Sequence, residues 1–140
     1  MIVRFARVED SAGLARLLTQ LGYPGTERFI GQKIELLLAH PDAELLVAEE
    51  HDEVLGFISL HFIPQLALRG DFCRIAYFCV GEDARGGGIG KALEEAAVQS
   101  AVARGCDRME VHCHARRTQA HGFYARQDFL ESPKYLMKML

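Results

Sequence analysis

Four glycines and two cations crowd the stretch DARGGGIGKAL, residues 83–93. Glycine carries no Cβ, so a ligand can reach backbone N–H groups that another side chain would shield. Where such a stretch opens a helix, the first-turn N–H groups have no intrahelical partner and the helix dipole is positive. That is the chemistry of anion binding, and Arg85 and Lys91 at the two ends suit a ligand carrying a diphosphate. The candidate cradle is therefore Arg85, Gly86, Gly87, Gly88, Ile89, Gly90 and Lys91. Two other phosphate loops do not fit these letters. A Walker A loop anchored on Gly90 and Lys91 would put Arg85 at its first glycine and Ala92 at its magnesium-binding hydroxyl. A dinucleotide fingerprint beginning at Gly86 and Gly88 would need glycine in place of Lys91 and an earlier position in the chain. The sequence also holds His112, Cys113 and His114 in a row, but strand alternation would send Cys113 to the face opposite the histidines, so no metal site is expected.

The elements that must position the loop follow from periodicity. IVRFARV alternates like a strand, and Asp10 and Ser11 can cap a helix whose apolar face is Leu14, Leu17, Leu18 and Leu21, stopped by Gly22. A second helix is expected from about Glu27 to Ala39, ended before Pro41. AELLVAEE and VLGFISLHFI read as a hairpin closed tightly at HDE, and DFCRIAYFCV as a central strand running into the glycines. GKALEEAAVQSAVARG is an amphipathic helix ended by Gly105, followed by the strand RMEVHCH. A short helix from Thr118 to Gln127 and a terminal strand pair within FLESPKYLMKML complete the chain. The glycine loop thus lies inside a βαβ unit.

With 140 residues of even composition, 49% hydrophobic and 25% charged, one domain spanning residues 1–140 is expected. A net charge of -3 gives no global reason to expect nucleic acid. No run approaches the ~18 apolar residues of a membrane span, and MIVRFARVEDSAG has no continuous apolar h-region, so a cytoplasmic location is expected. The four cysteines have no short paired spacing and read as reduced, mostly buried thiols.

Arg85-x-x-Gly88-x-Gly90 after a strand resembles the pyrophosphate-binding motif of the GNAT superfamily of N-acetyltransferases. A second mark of that family, a helix ending in Phe-Tyr and then Gly-Phe after three residues, is matched by AHGFYARQDF, with Asp128 in place of the glycine. The order of elements from Ile2 to Leu140 is similar as well. The resemblance implies an α/β (α+β) GNAT fold: a mixed central sheet of six to seven strands, flanked by about four helices, with splayed fourth and fifth strands. It implies acetyl-CoA as co-substrate, with its pantetheine arm along Phe78, Cys79 and Val80. It also implies Tyr124 as the general acid that protonates the departing thiolate. Arg117, in the variant Arg-x-x-Ala-His-x-Phe-Tyr, resembles a subgroup that includes aminoalkylphosphonate acetyltransferases, and it joins the cofactor-contacting candidates.

Relatives often carry a glutamate on the fourth strand as general base, but Arg74-Ile75-Ala76-Tyr77-Phe78 holds no carboxylate. Glu110, His112 and His114 alternate onto one face of the next strand, and His61 and Asp71 flank the substrate side; a water relay to one of these is the expectation. The resemblance places the acceptor, expected to be a small-molecule amine, against the stretches LGYPGTERFIGQK and HFIPQLALRGD, with His61, Arg69, Arg74 and Tyr77 as contacts. The cations among these suit an amine that also bears an anionic group. A non-catalytic acyl-CoA-binding module and a protein or peptide N-acetyltransferase are the alternatives. Edge strands near the C-terminus are compatible with a homodimer.

Overall fold

The computed structural model describes residues 1–112, 117–132 and 135–140, so Cys113 and His114 lie outside the described residues. The elements are β1 (Ile2–Phe5), α1 (Ser11–Leu21), α2 (Ile30–Ala39), β2 (Ala43–Glu50), β3 (Glu53–Ile63), β4 (Phe72–Val80), α3 (Ile89–Ala103), β5 (Arg108–Val111) and α4 (Thr118–Arg126). The sheet order is β1-β2-β3-β4-β5, with the first four strands antiparallel in sequence and β5 reached through the α3 crossover. This is the expected α/β mixed sheet with four helices, but the described residues contain five strands rather than six to seven. The missing pair is the one expected in FLESPKYLMKML. Leu130, Leu136, Met137, Met139 and Leu140 are all exposed there, so no buried apolar face fixes a strand register. The chain divides into two compact units, residues 1–110 and residues 111–140.

Within residues 1–110, helices cover both faces of the sheet. On one face Leu14, Leu17 and Ile34 of α1 and α2 bury against Leu45, Val47, Phe57 and Cys79. On the other, Ile89 and Leu93 of α3 lie directly over Gly56 of β3. A Cβ at Gly56 would stand 2.9 Å from the Cys79 carbonyl and 3.2 Å from each of those two side chains. The bare backbone at Gly56 therefore lets the start of α3, and with it the glycine loop, sit down on the sheet. Helix α1 ends where the sequence indicates: Gly22 is left-handed (φ 108°), and Gly22 and Tyr23 donate to the Thr19 and Leu18 carbonyls, satisfying orphan carbonyls of the last turn. Helix α2 starts three residues later than expected. Gly25 (φ 86°) opens a short 3₁₀ turn, Thr26–Arg28, and Phe29 at φ −136° breaks it from the α-helix. Cys73 and Cys79 are buried free thiols and Cys106 is half-buried; burial pushes the Cys73 thiol up to about 12, which keeps it protonated and inert.

Asp10 precedes α1 as expected, yet its side chain makes no cap bond to the helix. Its carboxylate instead accepts two hydrogen bonds from Arg4, both 2.9 Å, and one from the Arg7 N–H at 2.7 Å, while Arg4 also reaches Glu49. The Arg4 guanidinium holds the Asp10 carboxyl below its ordinary value of 3.8 despite burial. A depressed folded-state pKa stabilises the fold above the unfolded value and loses that stabilisation as pH falls through the folded value. Asp10→Asn is expected to cost about 2 kcal/mol at pH 7, and thermal melts of variant and wild type should converge as pH falls through the depressed folded-state value.

Candidate active site

Strand β4 carries the chain into the glycine loop, and its register sets which side chains reach the α1/α2 face. Pairing with β3 runs Gly56↔Val80, Phe57↔Cys79, Ile58↔Phe78 and Ser59↔Tyr77, then slips to Leu60↔Ile75. Ala76 is the extra residue of a β-bulge, and beyond it the alternation changes face. Cys73 and Ile75 consequently lie on the α3 side, whereas Tyr77 and Cys79 lie on the α1/α2 side. Cys79 is buried, with Sγ 3.5 Å from the Leu17 carbonyl oxygen. Phe78 and Val80 are half-buried.

After β4 a 3₁₀ turn, Glu82–Ala84, leads to Arg85 and the glycines. Gly86 and Gly88 are left-handed, at φ 86° and 79°, a conformation that side chains with a Cβ adopt only with strain. Gly88 is the N-cap of α3, and its carbonyl accepts from the Ala92 N–H at 3.0 Å. The helix thus begins at Ile89, one residue earlier than the sequence suggested. Ile89 is buried and anchors the turn, which leaves the first-turn N–H groups aimed out of the helix end. A Cβ on Gly86 or Gly88 would meet nothing within 4 Å, so the space over the loop is open. Arg85 is exposed, with no hydrogen bond or ion pair among the described residues, and Lys91 lies 4.0 Å from Glu95 one turn on. Backbone donors, a positive helix end and two cations around open space fit an anionic diphosphate.

On the α1/α2 face of residues 1–110, a cavity of about 360 Å³ opens between these helices and strands β2 to β4. His61 and Tyr77, two of the four expected acceptor residues, line it. Arg69 and Arg74 do not: Arg69 is exposed, and the Arg74 guanidinium stands 3.7 Å from the Glu110 carboxylate. Burial, reinforced by the His40 and Arg74 charges, holds the His61 imidazole below its ordinary 6.5, so it is neutral at pH 7. Three further lining residues stand out, two of which, Tyr23 and Thr26, fall in the LGYPGTERFIGQK stretch expected at the acceptor rim without being singled out there. Tyr23 packs edge-on against Tyr77 with ring centroids 5.5 Å apart, Ser59 is the cross-strand partner of Tyr77, and Thr26 contributes a buried hydroxyl. Thr26 had a signal, a hydroxyl residue just after Pro24-Gly25, but a turn threonine alone is too common to single out.

Within residues 111–140, α4 carries the half-buried Tyr124, whose ring packs against Phe123 and Phe129 with centroids 5.5 and 5.3 Å away. The helix closes through backbone: the Phe129 N–H donates to the Tyr124 carbonyl at 3.0 Å, around Asp128 at φ 66°. Asp128 adopts the left-handed conformation that glycine takes more readily. Arg117 stands exposed at the helix start, and His112 stacks on Tyr135 with centroids 4.3 Å apart. Among the described residues no group of three His, Cys, Asp or Glu is placed to hold a metal ion, and no helix is long and apolar enough to cross a membrane.

A mixed sheet whose fourth strand runs through a cation-flanked glycine loop into a helix N-terminus has the layout of an acetyltransferase. The sequence model of the acetyltransferase (GNAT) family matches residues 14–129, and the chain belongs to that family. Solved structures agree on the fold. A transcriptional regulator from Bacillus halodurans C-125 is 22% identical, with 99% of each chain covered and a TM-score of 0.90. Glucosamine-6-phosphate N-acetyltransferase from Arabidopsis thaliana is 21% identical over 99% of this chain and 97% of that one, with a TM-score of 0.86. Ribosomal-protein-alanine N-acetyltransferase from Brucella melitensis biovar Abortus 2308 is 20% identical over 99% and 98%, with a TM-score of 0.79. No curated protein matches the chain.

Proposed function

We propose that this acetyltransferase moves the acetyl group of acetyl-CoA to the primary amine of a small molecule, with residues 1–140 acting as one catalytic domain. The observation that carries this is the loop, where Gly86 and Gly88 hold left-handed backbone beside Arg85 at the start of α3. In this proposal Arg85, Lys91 and the N–H groups of residues 86–91 hold the diphosphate, Arg117 contributes a further cationic contact, and the β4 backbone at Phe78, Cys79 and Val80 orients the pantetheine. The amine nitrogen forms a bond to the thioester carbonyl carbon, the C–S bond breaks, and Tyr124 protonates the departing sulfur. The proton lost by nitrogen passes through water to a base. His61 suits that role best of the expected candidates, because it lines the cavity and is neutral at pH 7. Glu110 is engaged by Arg74, and His112 stacks on Tyr135.

Isothermal titration with acetyl-CoA, desulfo-CoA and ATP tests the donor half. Tight binding of both CoA species with weak ATP binding is expected; failure of CoA to bind would remove the proposal. The base has its own signature. Only neutral His61 accepts a proton, so kcat/KM should fall with pH below a midpoint under 6.5, by about tenfold per pH unit in addition to the titration of the amine. His61→Gln should show the amine's titration alone, and an identical profile would exclude His61.

A further inference from the structure

The cavity on the α1/α2 face carries more information than its position. Its wall is largely apolar, with Leu18, Phe29, Leu37 and Phe57 contributing, and no carboxylate lines it. The cations expected to grip an anionic acceptor do not line it: Arg69 is exposed, and Arg74, the cross-strand partner of His61, turns its guanidinium to the Glu110 carboxylate at 3.7 Å, with its Nε buried and without a hydrogen-bond partner among the described residues. Lys33, exposed, is the cation that lines it. Burying a charged group against such a wall carries a desolvation penalty with little compensation. Among the lining residues one polar atom stands out. Thr26 is 7% exposed, lines the cavity, and its Oγ1 is buried without a hydrogen-bond partner among the described residues. A buried hydroxyl in that condition costs about 1–3 kcal/mol, which a ligand group placed against it recovers.

We infer that the acceptor is a primary amine with an uncharged, apolar body of aromatic size, seated in this cavity with a neutral hydroxyl or carbonyl on Thr26 Oγ1. The inference rests on the acetyl-transfer reading and narrows its substrate class. It replaces the zwitterionic acceptor that the arginines suggested, because those arginines do not line the site. It also disfavours a polyamine, for which the wall offers no counter-charge.

The test titrates the whole protein, saturated with desulfo-CoA, with tyramine, 2-aminoethylphosphonate and spermidine. Tyramine should bind about tenfold or more tighter than either of the others. Leu18→Trp, which fills the cavity from a partly buried position, should abolish tyramine binding while leaving the desulfo-CoA affinity within about twofold, the latter also reporting an intact fold. Thr26→Val keeps the shape and removes the hydroxyl. It should weaken tyramine about fivefold or more and leave phenethylamine, which has no hydroxyl, unchanged. Preference for the phosphonate or for spermidine, tyramine binding indifferent to Leu18→Trp, or no amine binding to the desulfo-CoA complex would each overturn the inference and leave the donor half standing. Loss of desulfo-CoA binding by the wild type would instead overturn the acetyl-transfer proposal.

Discussion

Gly87→Val is expected to weaken acetyl-CoA binding about a hundredfold or more while moving the melting temperature by only a few degrees. The position is chosen by geometry. Gly86 and Gly88 have φ of 86° and 79°, so any side chain there strains the backbone by about 1–2 kcal/mol before a ligand is considered. Gly87 has no such conformation, and a Cβ there would touch the Ala84 carbonyl oxygen at an ordinary 3.4 Å. A branched side chain can therefore be accommodated by the fold and still stand in the open space above the loop. If it keeps the diphosphate from two backbone donors, each charge-assisted bond lost is worth about 1.5–3 kcal/mol, which converts to a hundredfold or more in affinity. Titration calorimetry beside a thermal melt separates the outcomes. Unchanged affinity would mean that the diphosphate does not lie over this loop, and a large fall in melting temperature would mean that Gly87 is structural.

Gly56→Ala approaches the same loop from beneath. Its Cβ would collide with the Cys79 carbonyl and press on Ile89 and Leu93, tilting the anchor of the cradle rather than blocking it. Nothing in the letters marks this role, because Gly56 sits in a strand whose apolar run continues on both sides. Much else was legible for physical reasons. The loop, its helix and the strand before it are marked by composition that changes abruptly at Gly81 and again at Ile89. The β2–β3 hairpin is legible in two alternating runs. Its turn, His51-Asp52, takes positive φ at both residues, 52° and 61°, the primed geometry that matches strand twist, although neither residue is glycine.

What could not be read is where alternation carries no information. DFCRIAYFCV is apolar at nearly every position, so nothing in it marks Ala76 as the bulge that sends Tyr77 to the cavity side. The late start of α2 was equally hidden, since Thr26 to Arg28 has the composition of a first helical turn and only the backbone at Phe29 breaks it. That break is what brings Thr26 to the cavity wall. Arg69 and Arg74 illustrate the complementary error. Charge type suggested an anionic acceptor, but a cation's partner is set by tertiary position, and Arg74 finds Glu110 from a strand far along the chain.

Tyr124→Phe is expected to lower kcat about a hundredfold with acetyl-CoA affinity changed by less than about twofold. The backbone closure and the ring packing survive the substitution. The bond that closes α4 uses the Tyr124 carbonyl, and the ring contacts with Phe123 and Phe129 are equally available to phenylalanine. What disappears is the phenolic proton. General acid catalysis contributes about 10²–10⁴ in rate, and a thiolate, whose conjugate acid titrates near 8.5, leaves unaided more readily than an alkoxide or amide nitrogen would. The loss should therefore fall at the low end of that range, and it should shrink in the alkaline region, where the thiolate is the stable leaving species and needs no proton. Steady-state kinetics with the amine preferred by the wild type, paired with titration of acetyl-CoA, reads both quantities. A kcat within about threefold of wild type would show that the thiolate departs without help from this residue and would reduce Tyr124 to a packing role.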